Sequence, residues 1–233
     1  MATGTRARSY DEMVDALAEE GLPALQDKLS QLKPGDWERP TFLRPPEPGK
    51  PPWTVLQLAA HFDVFMGLTM GLVAEPQAAQ PVVDRASFYI SVSDRSKVSP
   101  VIYQYVVDHA EGHTPATILD AVRETFEQAH EAIRSTPQDT IGPGFFGPMR
   151  LDEFVATRLV ETRVHRIDLT DTLGEPPLHM PRTTTMAAEV LDEVLARRAV
   201  PGRPADLEGD DLAFIRAAAG RGEYPDPRLP VVG

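Results

Sequence analysis

The chain contains no cysteine. Disulfide frameworks and thiolate-held metals are therefore excluded, and any metal must be held by histidine and carboxylate. Positive charge is scarce: 23 Lys and Arg against 35 Asp and Glu give a formal net charge of -12 and a pI near 4.9. This balance argues against nucleic acid and anionic membranes as partners, since both require a basic face. No uninterrupted run of about 18 apolar residues occurs, so no membrane span is expected. Met1 to Ser9 lacks the apolar core of a signal peptide. Together these absences predict a soluble, cytoplasmic protein, and no internal repeat is visible.

What the chain has in quantity is proline, 23 residues in all. Most lie between segments of helical periodicity and punctuate them. Ser9 and Glu12 form a capping box, and Met13, Leu17, Leu22, Leu25, Leu29 and Leu32 follow at helical spacing, with Gly21 a weak point. Residues 33–53 are Pro-rich and irregular, of a length that often covers a site. Thr54 caps a second helix, Val55 to Val73. Residues 74–99 read as loop with a short extended piece at Phe88-Tyr89-Ile90, and Ser99-Pro100 opens a brief helix from Val101 to His109. Thr114-Pro115 is an N-cap with proline at the first helical position, starting a helix that runs to Arg134. A Gly/Pro loop at 135–148 leads into a long helix from Leu151 to Leu173, stopped by Gly174. Four long helices with apolar stripes predict a mainly all-α protein, a four-helix bundle over residues 9–173. Residues 174–233 are too few for a large core of their own. They read as a small C-terminal subdomain: a helix from Thr184 to Arg198, a linker from Pro201 to Pro204, and a last helix from Asp210 to Ala219.

The candidate chemistry lies on the 151–173 helix. At about 100° per residue, Phe154, Thr157, Glu161, His165, Asp168 and Thr172 share one stripe. A carboxylate and an imidazole on a core-facing stripe are costly unless paired. Glu161 and His165, four apart, point the same way and could supply two of the three protein ligands of an open metal site. His61 is the one ionisable group on the inner stripe of the 55–73 helix, formed by Leu58, His61, Val64, Phe65, Leu68 and Leu72, and is the candidate third ligand. Asp168 either orients a ligand or pairs with Arg163 or Arg166, which otherwise face solvent. His109, His113, His130 and His179 show no ligand-spaced partner and read as surface residues.

Trp53-Thr54-Val55 with Ala60-His61-Phe62, the Thr114-Pro115 helix start, and Glu161-x-x-x-His165-Arg166-x-Asp168-Leu169 before Leu173-Gly174 resemble the DinB-like bundle. More closely they resemble its mycothiol-dependent maleylpyruvate isomerase branch. The ending Asp211-Leu212-Ala213-Phe214 to Gly220-Arg221-Gly222 is similar too. The resemblance implies a zinc-type metal at His61, Glu161 and His165, and mycothiol as cosubstrate. It also implies that Arg221 is the C-terminal arginine that binds substrate carboxylate, with Arg216 and Arg228 close by in sequence. A metal-activated thiolate could then isomerise an activated alkene, or displace a leaving group from a small electrophile in an S-transfer. The competing readings are a hydrolase on the same bundle, with metal-bound water as the nucleophile, and a non-catalytic binding protein. The expected partners are substrate and thiol, with the chain a monomer or a homodimer.

Overall fold

Helix ends are set by local capping chemistry, and the computed structural model shows it atom by atom. It describes residues 9–232 apart from 44, 46, 79, 93–94 and 199–201. Ser9 accepts the Glu12 amide at 3.2 Å while the Glu12 carboxylate accepts the Ser9 amide at 2.8 Å, and α1 (Tyr10–Ala16) begins there. A π-turn, Leu17–Gly21, joins it to α2 (Leu22–Ser30). A π-turn displaces carbonyls from their usual intrahelical partners, and that of Gly21 accepts Arg166 Nη2 at 2.6 Å. Thr54 and Gln57 cap α3 (Val55–Ala74) reciprocally, and Thr114 with Thr117 does the same for α6 (Pro115–Ser135). The central helix of the site, α7 (Leu151–Leu173), stops at Gly174 with a φ of 72°, a left-handed conformation that glycine adopts without strain.

The protein is mainly all-α, with one two-stranded sheet among the described residues. α3 packs on α6 and α7, and the α1–α2 segment closes the bundle against α6 and α7. His61 meets His165 while Phe65, one turn later in α3, meets Arg158, earlier in α7. The two helices therefore run antiparallel. α3 is long and apolar enough to cross a membrane by length and composition, although the sequence contains no uninterrupted apolar run. Here most of its apolar residues are buried: Leu58, Phe62, Phe65 and Met66 join a core with Leu25, Ile118, Val122 and Phe126, whereas Leu68, expected on the inner stripe, is exposed. A second core takes Met13, Leu159 and Val160 together with Leu191 and Val194 of α8 (Pro181–Arg198) and Phe214 and Ile215 of α9 (Asp211–Ala218). The tail thus buries its apolar face on the outer side of α7, which brings the chain beyond α9 within reach of that helix.

Three segments differ from the sequence expectation. Phe88-Tyr89-Ile90 is not extended but lies in α4 (Arg85–Val92). Its aromatics favour strands only as a surface preference, and an Asp84–Ser87 cap overrides it: the Ser87 amide donates to Asp84 Oδ1 at 2.8 Å. Asp84 also receives both Arg197 terminal nitrogens at 2.8 and 2.7 Å, tying α4 to α8. The Gly/Pro loop contains a hairpin, β1 (Ile141–Gly144) with β2 (Gly147–Arg150), paired antiparallel. A third element, α5 (Arg95–Glu111), begins before Pro100 rather than at it. The expected linker is described from Gly202 onward; Pro201 lies outside the described residues.

Gly142 lets the hairpin approach α3, because a Cβ there would lie 1.9 Å from the Leu72 carbonyl oxygen. Gly142→Ala should cost about 1–3 kcal/mol through the backbone shift it forces. Gly71→Ala, in an exposed helical position with nothing within 4 Å of the added carbon, should stabilise by about 0.5–1 kcal/mol. Urea unfolding of the two variants measures both. Equal effects at the two positions would refute the packing argument.

Candidate metal centre

The eight-residue stretch from Glu161 to Asp168 presents three acid–base side chains on one face of α7, as its spacing demands. α3 delivers His61 opposite them. His61 Nε2 and His165 Nε2 lie 3.0 Å apart, and Glu161 Oε2 lies 3.2 Å from His165 Nε2 and 3.9 Å from His61 Nε2. Ligand atoms of all three residues fall within 4.8 Å of one another. The three predicted ligands are thus brought together at one point. The donor set, two imidazoles and one carboxylate, is of the kind that holds zinc with a coordination position left open.

Asp168 orients His165: its Oδ2 lies 2.8 Å from His165 Nδ1. Its cationic partner is neither Arg163 nor Arg166 but Arg221, whose Nε and Nη2 donate to the two carboxylate oxygens at 2.8 and 2.7 Å. Arg221 Nη1 donates to the Ala219 carbonyl. The predicted catalytic Arg221 is therefore at the site, behind the histidine. Arg216 is bound to Asp171 and Arg228 to Asp226.

Arg163 and Arg166, expected to face solvent, are buried. Arg166 donates to the Thr162 and Gly21 carbonyls and lies over the Phe62 and Phe126 rings. Burial, with Arg163 nearby, pushes its pKa down to about 9. Arg163 donates to the Leu178 carbonyl.

Two further residues were not legible as site members. Tyr89 of α4 donates its hydroxyl to Glu161 Oε1 at 3.0 Å and to the Thr157 carbonyl at 2.9 Å. Arg158 is fully buried, donates to the Phe65 carbonyl and to Thr157 Oγ1, and adds positive charge near Glu161. The Asp84-x-x-Ser87 cap was the available signal for the helix that carries Tyr89. The expectation that His109 and His113 lack ligand-spaced partners is also overturned: they gather with Asp63 of α3. His130 accepts a hydrogen bond from Arg134 Nε.

The protonation pattern follows from these contacts. Burial, then the charge of His165, pushes His61 down to about 4, so His61 is neutral near pH 7. Burial alone would lower His165, but its hydrogen bonds with Asp168 and Glu161 raise it above the ordinary histidine value. Burial would raise Glu161 and Asp168. For Glu161 the neighbouring histidines prevail, and for Asp168 the Arg221 charge, so both are held well below the usual carboxylate range. His165 therefore holds a second proton more readily than an ordinary histidine, with Nδ1 facing Asp168 and Nε2 facing His61 and Glu161. His61 accepts at Nε2 and carries its own proton on Nδ1, a buried atom without a partner among the described residues. A proton on His165 Nε2 lies where the three donor atoms converge.

A sequence model of the mycothiol maleylpyruvate isomerase N-terminal domain matches residues 18–170. Comparison with curated proteins returned no match. Two solved structures share the fold: the mycothiol-dependent maleylpyruvate isomerase, at a TM-score of 0.61, and a histidine-to-alanine mutant of the mycothiol-dependent maleylpyruvate isomerase, at 0.62. Each is 16% identical over 94% of this chain and 96% of its own.

An ion held by both Nε2 atoms must displace the proton on His165 Nε2. Affinity at this site should therefore rise with pH. It should gain about tenfold per unit below the raised His165 pKa, and more steeply as pH approaches about 4, where His61 also binds a proton. Calorimetric titration of wild type and His61→Ala at several pH values isolates this site by difference. A pH-independent difference would rule out the assigned proton.

Proposed function

The chain belongs to the mycothiol maleylpyruvate isomerase N-terminal domain family, and on that premise we propose that it is a metal-dependent enzyme using mycothiol, or a close low-molecular-weight analogue, on a small electrophilic substrate. The observation that carries the proposal is the convergence of His61, Glu161 and His165, with Asp168 and Arg221 behind His165. Bound there, a zinc-class ion would lower the pKa of a coordinated thiol, so that the nucleophilic thiolate is present at neutral pH. Reversible addition of such a thiolate would turn an activated C=C bond into a single bond, with the electron pair held on the conjugated carbonyl, and expulsion of the same thiolate after rotation would regenerate it with the other geometric isomer.

The protein's own residues have three tasks. His61, Glu161 and His165 would hold the ion and leave a position open. Asp168, fixed by Arg221, keeps the His165 ring turned so that Nε2 faces the centre. Tyr89 and Arg158 hold and balance Glu161, so a neutral tyrosine and a fixed cation set its orientation. The end of the Pro-rich 33–53 segment lies over the centre: the Trp53 ring is 5.1 Å from His61, and Tyr103 stacks on Trp53 and donates to the Pro51 carbonyl. The acidic net charge does not forbid an anionic substrate, because Arg158, Arg221 and the ion set the local field. A reduced thiol as cosubstrate suits the cytoplasm.

Three nitrogens of Arg221 are committed to Asp168 and Ala219, which favours positioning over anchoring of substrate. A lysine cannot reproduce the two-pronged contact. Arg221→Lys should lower metal affinity about 10–100-fold, the usual effect of losing a group that orients a ligand, and should lower kcat with it. A raised KM with metal content, kcat and Tm unchanged would restore the substrate-anchor role.

The reaction itself is tested on the metal-loaded protein with a cis-configured, carbonyl-activated alkene of the maleylpyruvate type. Isomerisation should require added thiol and fall by at least a hundredfold without it. Isomerisation indifferent to thiol would overturn the thiol role, and hydrolysis of the substrate without thiol would place the chain among hydrolases on this scaffold.

A further inference from the structure

Four of the chain's six histidines fall in two clusters, and only one cluster belongs to the centre described above. We propose that Asp63, His109 and His113 form a second site for a divalent transition-metal ion of the zinc class, on the opposite face of α3. Asp63 is two residues from His61, about 200° around the helix axis, so the two sites share a helix without sharing a face. The donor set is the same, two imidazoles and one carboxylate, and one ligand atom from each residue lies within 4.8 Å of the others.

The end of α5 builds the histidine pair. His109 is in its last turn, and beyond Glu111 the Gly112 amide donates to the His109 carbonyl at 3.3 Å and the His113 amide to the Ala110 carbonyl at 3.0 Å. That turn folds His113 back, bringing the two rings to 5.0 Å between centroids. His109 Nε2 meets Asp63 Oδ2 at 2.7 Å. An ordinary ion pair would account for that contact alone. It leaves His113 Nδ1 and Asp63 Oδ1 buried without a hydrogen-bond partner among the described residues, and buried polar atoms seldom go unpaired. An ion among the three residues would engage the imidazole and the carboxylate together. Ligand bonds of about 2.0–2.1 Å in tetrahedral array require donors roughly 3.3 Å apart, which small side-chain rotations can supply. Entry needs no opening of the fold, because the His109 side chain is 31% exposed. The site joins the end of α5 to α3, so an ion there would act as a staple.

Chelator-stripped full-length protein, reloaded with Zn2+ or Co2+ and desalted, should carry two equivalents by elemental analysis. His109→Gln/His113→Gln should carry one and lose part of the metal-induced rise in Tm. His61→Ala/His165→Ala should also retain one equivalent. The glutamines keep size and polarity, and far-UV circular dichroism checks the fold of each. Retention of one equivalent by His61→Ala/His165→Ala is a positive signal that does not depend on the glutamine variant folding. An equivalent kept by that variant and lost from the glutamine variant supports the second site even if wild type binds only one ion, in which case it is the first centre that fails. No metal in His61→Ala/His165→Ala, or two equivalents in the glutamine variant, would overturn the proposal.

Discussion

A buried carboxylate needs a cation, and on α7 that requirement organises the molecule. Asp168 is nearly inaccessible and carries two cationic partners, His165 on its own helix and Arg221 from beyond α9. Removing either would leave a charge stranded in a poorly solvated place, a change that typically costs several kcal/mol. The tail beyond Gly174 therefore does more than cover apolar surface. Its second core presses α8 and α9 onto α7 and α4, and the chain that leaves α9 then reaches back to Asp168. The same logic binds α4 to the site, since Glu161 takes its hydroxyl donor from Tyr89. Ligand geometry is thus the product of both cores at once.

The parts of this arrangement visible in sequence are those that depend on short-range rules. The capping box at Ser9, the caps at Thr54 and Thr114, the αL glycine at 174 and the four-residue spacing of Glu161 and His165 each act within about one helical turn. The membership of His61 in the same centre was legible because it is an isolated ionisable group on an apolar stripe. What escaped depends on contacts distant in sequence. Phe88-Tyr89-Ile90 has the composition of a strand and becomes helix because Asp84 caps it and α8 covers it. The 141–150 hairpin requires Gly142 to lie against Leu72, some seventy residues earlier. Arg163 and Arg166 carry charge that sequence places outside. They are buried because α7 lies between two cores and carbonyls of Leu178 and Gly21 receive them. His109 and His113 looked unpartnered because their carboxylate, Asp63, sits on another helix.

Charge sets what the principal centre can accept. His61, Glu161 and His165 converge beside the Asp168 carboxylate and the guanidinium groups of Arg158 and Arg221. A divalent ion in place of one proton would add a unit of positive charge, and an anionic ligand at the open position would offset it. A thiolate fits this need better than a neutral water molecule does. The bundle contributes rigidity: ligands sit on helices, each fixed by a hydrogen bond or a packed ring, so the centre is held without a ligand-bearing loop.

Cobalt substitution addresses the central claim most directly. In protein carrying His109→Gln and His113→Gln, a single Co2+ should enter the His61–Glu161–His165 centre and give the visible spectrum of a low-symmetry, four-coordinate ion. Adding mycothiol, or a simpler thiol in excess, should produce an intense near-ultraviolet sulfur-to-cobalt charge-transfer band that disappears when the thiol is removed. A cobalt spectrum that stays unchanged at saturating thiol would contradict the account, because the open position would then not be a thiolate site.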